Sequence, residues 1–423
     1  MSRSRIRSRS RSGVVSSLPW YTLGKADDTN PSFWADFANN RYAVNGAAEA
    51  FSDIFTFTRS TTGTYFDANG VMQTAAINTP RFDHNPLTGE KLGLLIEEQR
   101  TNLVFRSGDI AGYWGKDNVT ATYDGTLAPD GLPAAKITTV NLLGNRAASP
   151  NGMSLTATTY AVSVFIKPDT SRVCQLELDF ANPNTQQTID FDNLTSNDVA
   201  VGNGWYRCTR YFTQTGASGG ARMSIRPSLT IGGSIYASLA QVEQGSFATS
   251  YIPTTSSAVT RSADVANVTS SNVVPFASWY NHTEGTFYAD FLFYGSSSAF
   301  PRIFEVGDGG SNVNSISLFQ TTSINQGGFN IYSGSAYQGF GLGNPDLRST
   351  RNKFAGAIKL NNSAAGYNGS IGGTDNAILM PTGLVRMDIG NRSSGTASAS
   401  LHLRELRYYS QRVTNSELQR ITT

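Results

Sequence analysis

The chain contains 423 residues. A chain of this length is too long for a single hydrophobic core of ordinary size, so we expect two or three domains. Charged residues make up 15% of it, and the balance of 33 basic against 31 acidic side chains excludes an overall field that would favour nucleic acid. No run of about 18 apolar residues occurs and no apolar segment follows the basic N-terminus, so we expect neither a membrane-spanning helix nor a secretory signal.

Arginine alternates with serine in the first dozen residues. The arginines are Arg3, Arg5, Arg7, Arg9 and Arg11, and no acid lies among them. Without these five residues the formal net charge changes from +2 to −3. Such an arm either docks on an acidic partner, protein or nucleic acid, or extends into solvent as a disordered tail.

Phenylalanine and tyrosine occur along the whole chain between turns rich in Gly, Asn and Ser, a composition that favours strands over helices. The first section, up to about residue 106, begins as an irregular aromatic region. Alternating Thr and Phe then predict a strand over 55–66. The segment 93–103 is either a short helix or a strand.

The second section, from about residue 107 to 255, has the pattern of a β-sandwich. Polar or small residues alternate there with the apolar residues Tyr160, Val162, Val164 and Ile166. Further strands recur roughly every 10 to 20 residues, with Gly, Asn and Ser turns between them.

The sequence contains two cysteines, Cys174 and Cys208. Two cysteines form neither a disulfide framework nor a zinc site by themselves. Each shares its strand parity with apolar neighbours, so we expect both to face a core. Two buried free thiols are favoured over a single disulfide.

The third section, from about residue 262 to the end, predicts a second sandwich. Alternate positions carry the apolar stripe Phe287, Ala289, Phe291 and Phe293. The pair Asn368-Gly369 predicts a two-residue hairpin turn. Thr414, followed three residues later by Glu417, predicts a capped terminal helix.

The parity of the apolar residues changes within the last predicted strand. Leu401 and Leu403 are odd-numbered, whereas Leu406 and Tyr408 are even-numbered. A β-bulge between the two pairs would turn all four side chains inward. His402 then lies on the opposite face, and we expect it to be exposed.

Three parts of the chain resemble known families. A resemblance to phage proteins of the head-spike or tail-fibre type is carried by FTFTRSTTGTYFDANGV and TPRFDHNPLTGEKLGLLIEEQRTNLV, at about 55–71 and 80–104. Similarity to jelly rolls of the carbohydrate-binding-module type is carried by YAVSVFIKPD and GNGWYRCTRYF. Similarity to concanavalin-A-like, laminin-G-like sandwiches is carried by EGTFYADF, VRMDIGNR and LHLRELRYYSQRVTNSELQRIT.

The resemblance implies an all-β fold with two antiparallel β-sandwich (jelly-roll) domains after an irregular N-terminal anchoring region. Residues 1–51 would hold the Arg/Ser arm and the virion-anchoring segment, and 52–106 a head-spike-like β region. Residues 107–258 would form the carbohydrate-binding-module-like jelly roll, and 259–423 the concanavalin-A-like sandwich.

The implied function is that of a structural virion appendage, a head spike, collar or tail fibre on the surface of a phage or phage-like particle. Its implied partners are capsid, portal, collar or tail proteins through the N-terminal region, host cell-surface polysaccharide, and further copies of itself. One alternative is a capsid or collar decoration protein with a purely structural packing role. A second is a polysaccharide depolymerase, but such enzymes usually carry a long repetitive β-helix, which this sequence lacks.

Catalytic chemistry finds little support in the residues. The three histidines, His84, His282 and His402, fall in separate sections, and no nucleophile signature such as G-x-S-x-G accompanies them. Glu97 and Glu98 form the most obvious carboxylate pair, but neighbours on a strand point to opposite faces. We expect both to be solvated surface acids, and we expect a binding protein that is not an enzyme.

A sugar-binding site needs an exposed aromatic ring flanked by amide or carboxylate groups. Tyr113, Trp114 and Asp117, at the start of the second section, have that composition. Trp279 and Tyr280, before the strands of the third section, are further candidates. Most aromatic residues of a β-sandwich nevertheless lie in its core, so burial is the competing interpretation for each of these rings.

Calcium is the one cofactor that the resemblance suggests, because laminin-G-like sandwiches often hold a single Ca²⁺ between loops. Asp308 and Asp375 are loop acids surrounded by backbone carbonyls, the oxygen ligands that Ca²⁺ prefers. Loops of Gly and Asp are also ordinary turns, and that interpretation stays open here.

Overall fold

The computed structural model describes residues 20, 24–181, 183, 185–310, 313–321, 327–338, 340–341, 347 and 350–423, so the Arg/Ser arm with Arg3 to Arg11 lies outside it. Nearly all regular structure in the described part is antiparallel β-sheet, which confirms the predicted all-β class. The helices are Phe51–Ile54, Ile110–Tyr113, Asn415–Thr422 and the 3₁₀ helix Phe276–Ser278. None of the described helices is long and apolar enough to cross a membrane.

The strands between residues 115 and 244 form one sandwich, which we name the inserted sandwich. Its first sheet has the order Val119–Leu127, Pro133–Thr139, Ser234–Gln244, Thr159–Pro168, Trp205–Thr213, Asp198–Gly202. Its second has the order Gly115–Asp117, Arg146–Ala148, Ser218–Arg226, Val173–Asp179, Gln186–Asp190, and Met153–Leu155 also pairs with Ser218–Arg226. Apolar side chains at alternate positions of both sheets fill one core. Cys174 and Cys208 lie in this core, buried and free, as predicted.

A second sandwich, which we name the composite sandwich, is built from both ends of the chain. Sheet I has the order Ala47–Glu49, Arg41–Val44, Phe33–Asp36, Ser400–Tyr409, Glu284–Gly295, Arg351–Lys359, Asn362–Tyr367, Ser370–Asp375. In addition, Lys91–Ile96 pairs with Ser400–Tyr409, and Arg81–His84 pairs with Lys91–Ile96. Sheet II has the order Ala336–Tyr337, Gly327–Ser333, Ser315–Gln320, Arg302–Gly307, Arg386–Ile389, Val265–Val268, Thr56–Thr58, with Phe340–Gly341 on Gly327–Ser333. The two sheets enclose one phenylalanine-rich core.

Strands from the first hundred residues complete the composite sandwich. Phe33–Asp36 pairs with Ser400–Tyr409 in sheet I, and Thr56–Thr58 pairs with Val265–Val268 in sheet II. The region before residue 52, which was expected to be irregular, therefore contains strands, because its aromatic residues fill this core. The domain boundaries after residues 51, 106 and 258 stay a prediction, to which the pairing adds that the first and last segments share both sheets.

The chain enters and leaves the inserted sandwich through two adjacent strands. Arg100–Asn102 pairs antiparallel with Val259–Arg261, so the exit and return points lie side by side. The hairpin of Gly63–Phe66 and Met72–Ala75 also reaches the inserted sandwich, because Met72 packs in one cluster with Phe165, Trp205 and Leu239. The Thr64 hydroxyl there donates a hydrogen bond of 2.6 Å to the carbonyl of Tyr251.

The bulge predicted in the last long strand is confirmed. Asp290 pairs with Glu405, but the next residue, Phe291, pairs with Leu403, which leaves Arg404 as the extra residue. The four side chains whose parity required the bulge are consequently all buried: Leu401, Leu403, Leu406 and Tyr408.

The predicted hairpin turn and helix cap are also confirmed. Asn368 and Gly369 have φ angles of 43° and 79°, as the two central residues of a type I′ turn require. The Thr414 hydroxyl accepts the backbone N–H of Glu417 at 3.2 Å, so the terminal helix begins where the sequence predicts.

The exposure expected for His402 is wrong. Its side chain is buried, with Nε2 2.8 Å from Oδ2 of Asp83 and Nδ1 hydrogen-bonded to the hydroxyl of Tyr294. Asp83 belongs to the strand Arg81–His84, which comes from the first section of the chain. Alternation shows that His402 faces away from the sandwich core, but it does not reveal that a distant segment covers that face.

The solvation expected for Glu97 and Glu98 is wrong for the same reason. Both lie buried where the two sandwiches meet. Oε2 of Glu97 is 2.8 Å from Nη1 of Arg81 and 2.8 Å from Nη1 of Arg261. Glu98 pairs with Arg100 at 2.6 Å.

Asp264 joins the same buried cluster. Its carboxylate lies 3.0 Å from the guanidinium of Arg59 and 2.5 Å from that of Arg81, and its Oδ2 accepts the N–H of Glu97 at 2.9 Å. The segment that joins the inserted sandwich to Val259–Arg261 contributes Ser250, whose N–H donates to Glu97 at 2.7 Å. We name the charged members the junction network: Arg59, Arg81, Glu97, Arg261 and Asp264. They come from before and after the inserted sandwich and hold both of its ends.

Replacing Asp264 by asparagine should lower the free energy of unfolding by about 3–5 kcal/mol, because two buried guanidiniums lose an ionised partner. Asp192→Asn is the matched control, since Asp192 pairs at 2.9 Å with an exposed Arg172 and should cost less than about 1 kcal/mol. Urea unfolding followed by tryptophan fluorescence measures both variants. Equal, small losses would contradict a structural role for the junction network.

The stability supplied by Glu97 should depend on pH. Burial alone would raise the pKa of Glu97, but Arg261 and Arg81 outweigh burial and hold it well below its ordinary value of 4.5. Below about pH 4.5, Glu97 is protonated in the unfolded chain but stays ionised in the folded chain. The stability that Glu97 supplies is therefore present above about pH 4.5 and is lost as the pH falls below it. The urea midpoint should fall between about pH 5 and pH 3, and less steeply in Glu97→Gln. Identical pH profiles for the two chains would refute the linkage.

Candidate functional site

Most of the aromatic residues predicted to contact sugar lie inside the sandwiches. Trp114 is 1% exposed and donates a hydrogen bond of 3.0 Å to the carbonyl of Arg106. Trp279 and Tyr280 are 3% and 7% exposed and belong to the core of the composite sandwich. Tyr113 keeps an exposed ring, with the Arg106 guanidinium 3.9 Å from its centroid. The structure therefore does not gather the predicted rings on one surface.

The predicted acids also lie apart from one another. Asp117 pairs with Arg146 at 3.0 Å. Asp308 and Asp375 each accept a backbone N–H two residues along the chain, at 2.9 and 2.8 Å, as turn residues do. Over the described ranges, no three side chains of His, Cys, Asp and Glu lie together as metal ligands would. The surroundings of Asp308 and Asp375 thus do not fit a calcium site built from carboxylates.

A groove of about 420 Å³ lies on the face of sheet II that is turned away from the core. Ile316 and Leu318 enter the core from one strand, so Ser317 between them faces the groove side. Residues that line the groove and carry its chemistry are Phe300, Arg302, Asn330, Tyr332, Tyr337 and Arg392. We name this feature the sheet II groove.

A row of polar side chains crosses four neighbouring strands of sheet II. Asp388 is the cross-strand partner of Glu305, Glu305 of Ser317, and Ser317 of Asn330. All four residues are buried. Buried polar groups cost free energy unless they have hydrogen-bond partners, so the polar side chains at the floor of the groove need such partners.

Two guanidiniums share one carboxylate oxygen at this floor. Nε of Arg302 and Nε of Arg392 donate to Oε2 of Glu305 at 3.1 and 3.3 Å. Arg302 also donates to the carbonyl of Phe300 at 3.1 Å, and its guanidinium lies 5.3 Å from the ring centroid of Phe319. Burial lowers the pKa of Arg302, and the neighbouring Glu305 offsets this only in part. The floor therefore holds more positive charge than Glu305 balances.

Three buried oxygen atoms of this surface have no hydrogen-bond partner among the described residues. They are Oδ1 of Asn330 and the hydroxyls of Ser315 and Ser317. An unpartnered buried polar atom costs about 1–3 kcal/mol. Asn330 lines the groove, so its unpaired acceptor lies next to the space that a bound molecule would fill.

Aromatic rings stand at both ends of the groove. Phe300 packs 6.3 Å from Phe319, and Tyr337 packs 5.3 Å from Tyr332. Phe319 and Tyr332 lie at opposite ends of the paired strands Ser315–Gln320 and Gly327–Ser333, about 13 Å apart along the strand direction. The outer rings are open to solvent, with Phe300 55% and Tyr337 57% exposed.

Sequence reasoning missed this groove. The alternation around Ser317 and Asn330 places both outside the core, and that signal was available. The pairing of Arg302–Gly307 with Arg386–Ile389 was not, because it joins segments far apart in the chain. Without that pairing, nothing in the sequence brings Arg392 to Glu305.

No family model and no curated protein matches the sequence. Among solved structures, the chain is similar to the CBM40 carbohydrate-binding module of the Ruminococcus gnavus IT-sialidase bound to alpha2,6 sialyllactose, at 16% identity over 37% of this chain and 92% of that one, with a TM-score of 0.31. It is also similar to the NanB sialidase of Streptococcus pneumoniae, at 12% identity over 36% and 26% of the two chains, with a TM-score of 0.30. It is similar as well to the Trypanosoma rangeli sialidase, at 13% identity over 37% of this chain and 25% of that one, with a TM-score of 0.30. The chain spans about a quarter of these two sialidases, and at these values the likenesses establish no function for it.

Proposed function

We propose that the sheet II groove binds a glycan and that the protein acts by binding alone. The observation that carries the proposal is the buried acceptor of Asn330, which lies between the exposed rings of Phe300 and Tyr337. A pyranose has an apolar face that stacks on an aromatic ring and hydroxyl groups that donate to an amide oxygen. The groove offers both kinds of contact within the length of one strand pair.

The position of the polar residues favours binding without reorganisation. Arg302 and Asn330 lie on strands of sheet II, and their neighbours on the same strands fill the core. Groups held by paired strands lose little conformational entropy when a ligand arrives, which preserves affinity. Several copies on one particle would add avidity to a weak single site.

The carboxylates near the groove do not support hydrolysis. Glycoside cleavage needs two carboxyl groups that flank the scissile bond. Among the described residues that line the groove there is no carboxylate, and Glu305 beneath them is held by two guanidiniums. This arrangement favours a binding site over a depolymerase.

We further propose that the protein is a surface appendage of a phage or phage-like particle, a head spike, collar or tail fibre, which attaches to host surface polysaccharide. Support comes from the resemblance of 55–71 and 80–104 to such proteins. These stretches supply Arg59, Arg81 and Glu97 to the junction network, so the resemblance concerns residues that hold the two sandwiches together. The Arg/Ser arm would anchor several copies to capsid, collar or tail.

Replacing Tyr337 by alanine should weaken binding about tenfold, because an exposed stacking ring at one end of a small site carries a large share of the affinity. The ligand is the tightest binder from an array of bacterial surface glycans, and titration calorimetry measures its affinity. The 57% exposure of Tyr337 means that the variant should unfold at the same urea concentration as the native chain.

Two matched variants separate this site from other surfaces. Phe180→Ala removes an equally exposed ring, 55%, from the inserted sandwich and should leave the affinity unchanged. Tyr113→Ala tests the site that the sequence alone suggested. If Tyr113→Ala abolishes binding and Tyr337→Ala does not, the groove is not the glycan site.

Deleting residues 1–11 should remove the protein from purified particles and leave its unfolding transition unchanged. The physical reason is the loss of five positive charges that would dock on an acidic surface of the particle. A chain with all five arginines changed to lysine keeps the charge and should still be incorporated. Normal incorporation of the deleted chain, measured by quantitative mass spectrometry, would dispose of the anchoring role.

A further inference from the structure

We propose that the sheet II groove selects a sugar that carries a carboxylate, with Arg392 as the residue that binds it. This inference rests on the proposed glycan binding and adds the chemical class of the ligand. It is carried by the balance of charge at the floor of the groove and by the way in which Arg392 is held.

The charged side chains at the floor leave one positive charge over. Arg386 and Asp388 form a two-bonded pair, with Nε 2.8 Å from Oδ2, and this pair is neutral. Glu305 is then the one carboxylate in contact with both Arg302 and Arg392 among the described residues. Two cations share one anion, and both donate to the same oxygen atom.

The two guanidiniums differ in how firmly the protein holds them. Arg302 is fixed by Glu305, by the carbonyl of Phe300 and by the ring of Phe319. Arg392 contacts Glu305 through Nε at 3.3 Å, and no described residue accepts a hydrogen bond from its Nη1 or Nη2. Its side chain is 14% exposed and lines the groove. The terminal nitrogens of Arg392 are therefore the group that a ligand can engage.

A carboxylate is the partner that this arrangement lacks. A guanidinium binds a carboxylate through two parallel charge-assisted hydrogen bonds, which are stronger than bonds to a neutral hydroxyl. A partly buried positive charge that shares its counter-ion with a second cation also costs free energy, and a neutral sugar that displaces water from Arg392 leaves that cost in place. Selectivity thus has an attractive part and a penalty against neutral ligands.

The remaining contacts of the groove set where the carboxylate lies on the sugar. Oδ1 of Asn330 needs a donor, which a ring hydroxyl or an amide N–H supplies. The rings of Phe300 and Tyr337 accept the apolar face of a pyranose. An acidic pyranose therefore satisfies the cation, the orphan acceptor and the rings together, whereas a small inorganic anion satisfies only the first.

The test is binding of the full chain to an array of carboxylate-bearing oligosaccharides, beginning with tetragalacturonate, each paired with its methyl ester, beside neutral glycans. Methyl esterification removes the charge and keeps the ring. We expect every retained glycan to carry a carboxylate and esterification to weaken its binding about tenfold or more. Calorimetry in low and high salt should show the preference shrinking as salt rises.

Arg392→Gln should abolish the difference in affinity between acid and ester. The variant should fold, because Glu305 keeps its contact of 3.1 Å with Arg302. Arg172→Gln is the matched control, since Arg172 pairs at 2.9 Å with Asp192 on the surface of the inserted sandwich and should keep the full preference.

Equal affinity for acid and ester that is lost in Tyr337→Ala would overturn the carboxylate preference and leave glycan binding standing. A preference that survives Arg392→Gln would overturn the assignment of Arg392. An array on which the folded native chain retains no glycan at all would overturn both the preference and the proposed function.

Discussion

Buried charge at the meeting point of the two sandwiches is the constraint on which the rest of the structure depends. Asp264 and Glu97 together hold the guanidiniums of Arg59, Arg81 and Arg261, and every one of these side chains is almost completely removed from solvent. Breaking a buried ion pair leaves an uncompensated charge, which is far more costly than a lost surface contact. Segments separated by the whole inserted sandwich are therefore held in one arrangement.

That arrangement reaches the groove through sheet II. Arg59 follows the strand Thr56–Thr58, and Asp264 precedes the strand Val265–Val268. These two strands pair with each other in sheet II, so the ion pair of Arg59 and Asp264 lies at their adjacent ends. The next strand, Arg386–Ile389, carries Asp388 of the polar row. The buried charges thus lie at the ends of strands in sheet II, and the same sheet carries the groove. We expect the ion pairs of the junction network to restrain the strands on which the binding surface lies.

Local patterns in the sequence predicted what depends on near neighbours. Alternation predicted the strands and the bulge at Arg404, and the Asn368-Gly369 pair predicted its turn, because these features follow from residues a few positions apart. The same patterns failed at His402 and Glu97, where burial depends on a distant segment that covers a polar face. The groove was missed for this reason too, since Arg392 reaches its place only through strand pairing across the chain.

The proposed glycan recognition depends on a strand surface with two arginines that share Glu305 and with an unpaired amide oxygen, rather than on the aromatic residues that stand out in the sequence. The most direct test is a crystal structure of the full chain with its tightest-binding oligosaccharide. We expect a sugar ring in the groove between Phe300 and Tyr337, with a hydroxyl group or amide N–H within hydrogen-bond distance of Oδ1 of Asn330. An oligosaccharide bound beside Tyr113 on the inserted sandwich, with the groove empty, would contradict that assignment.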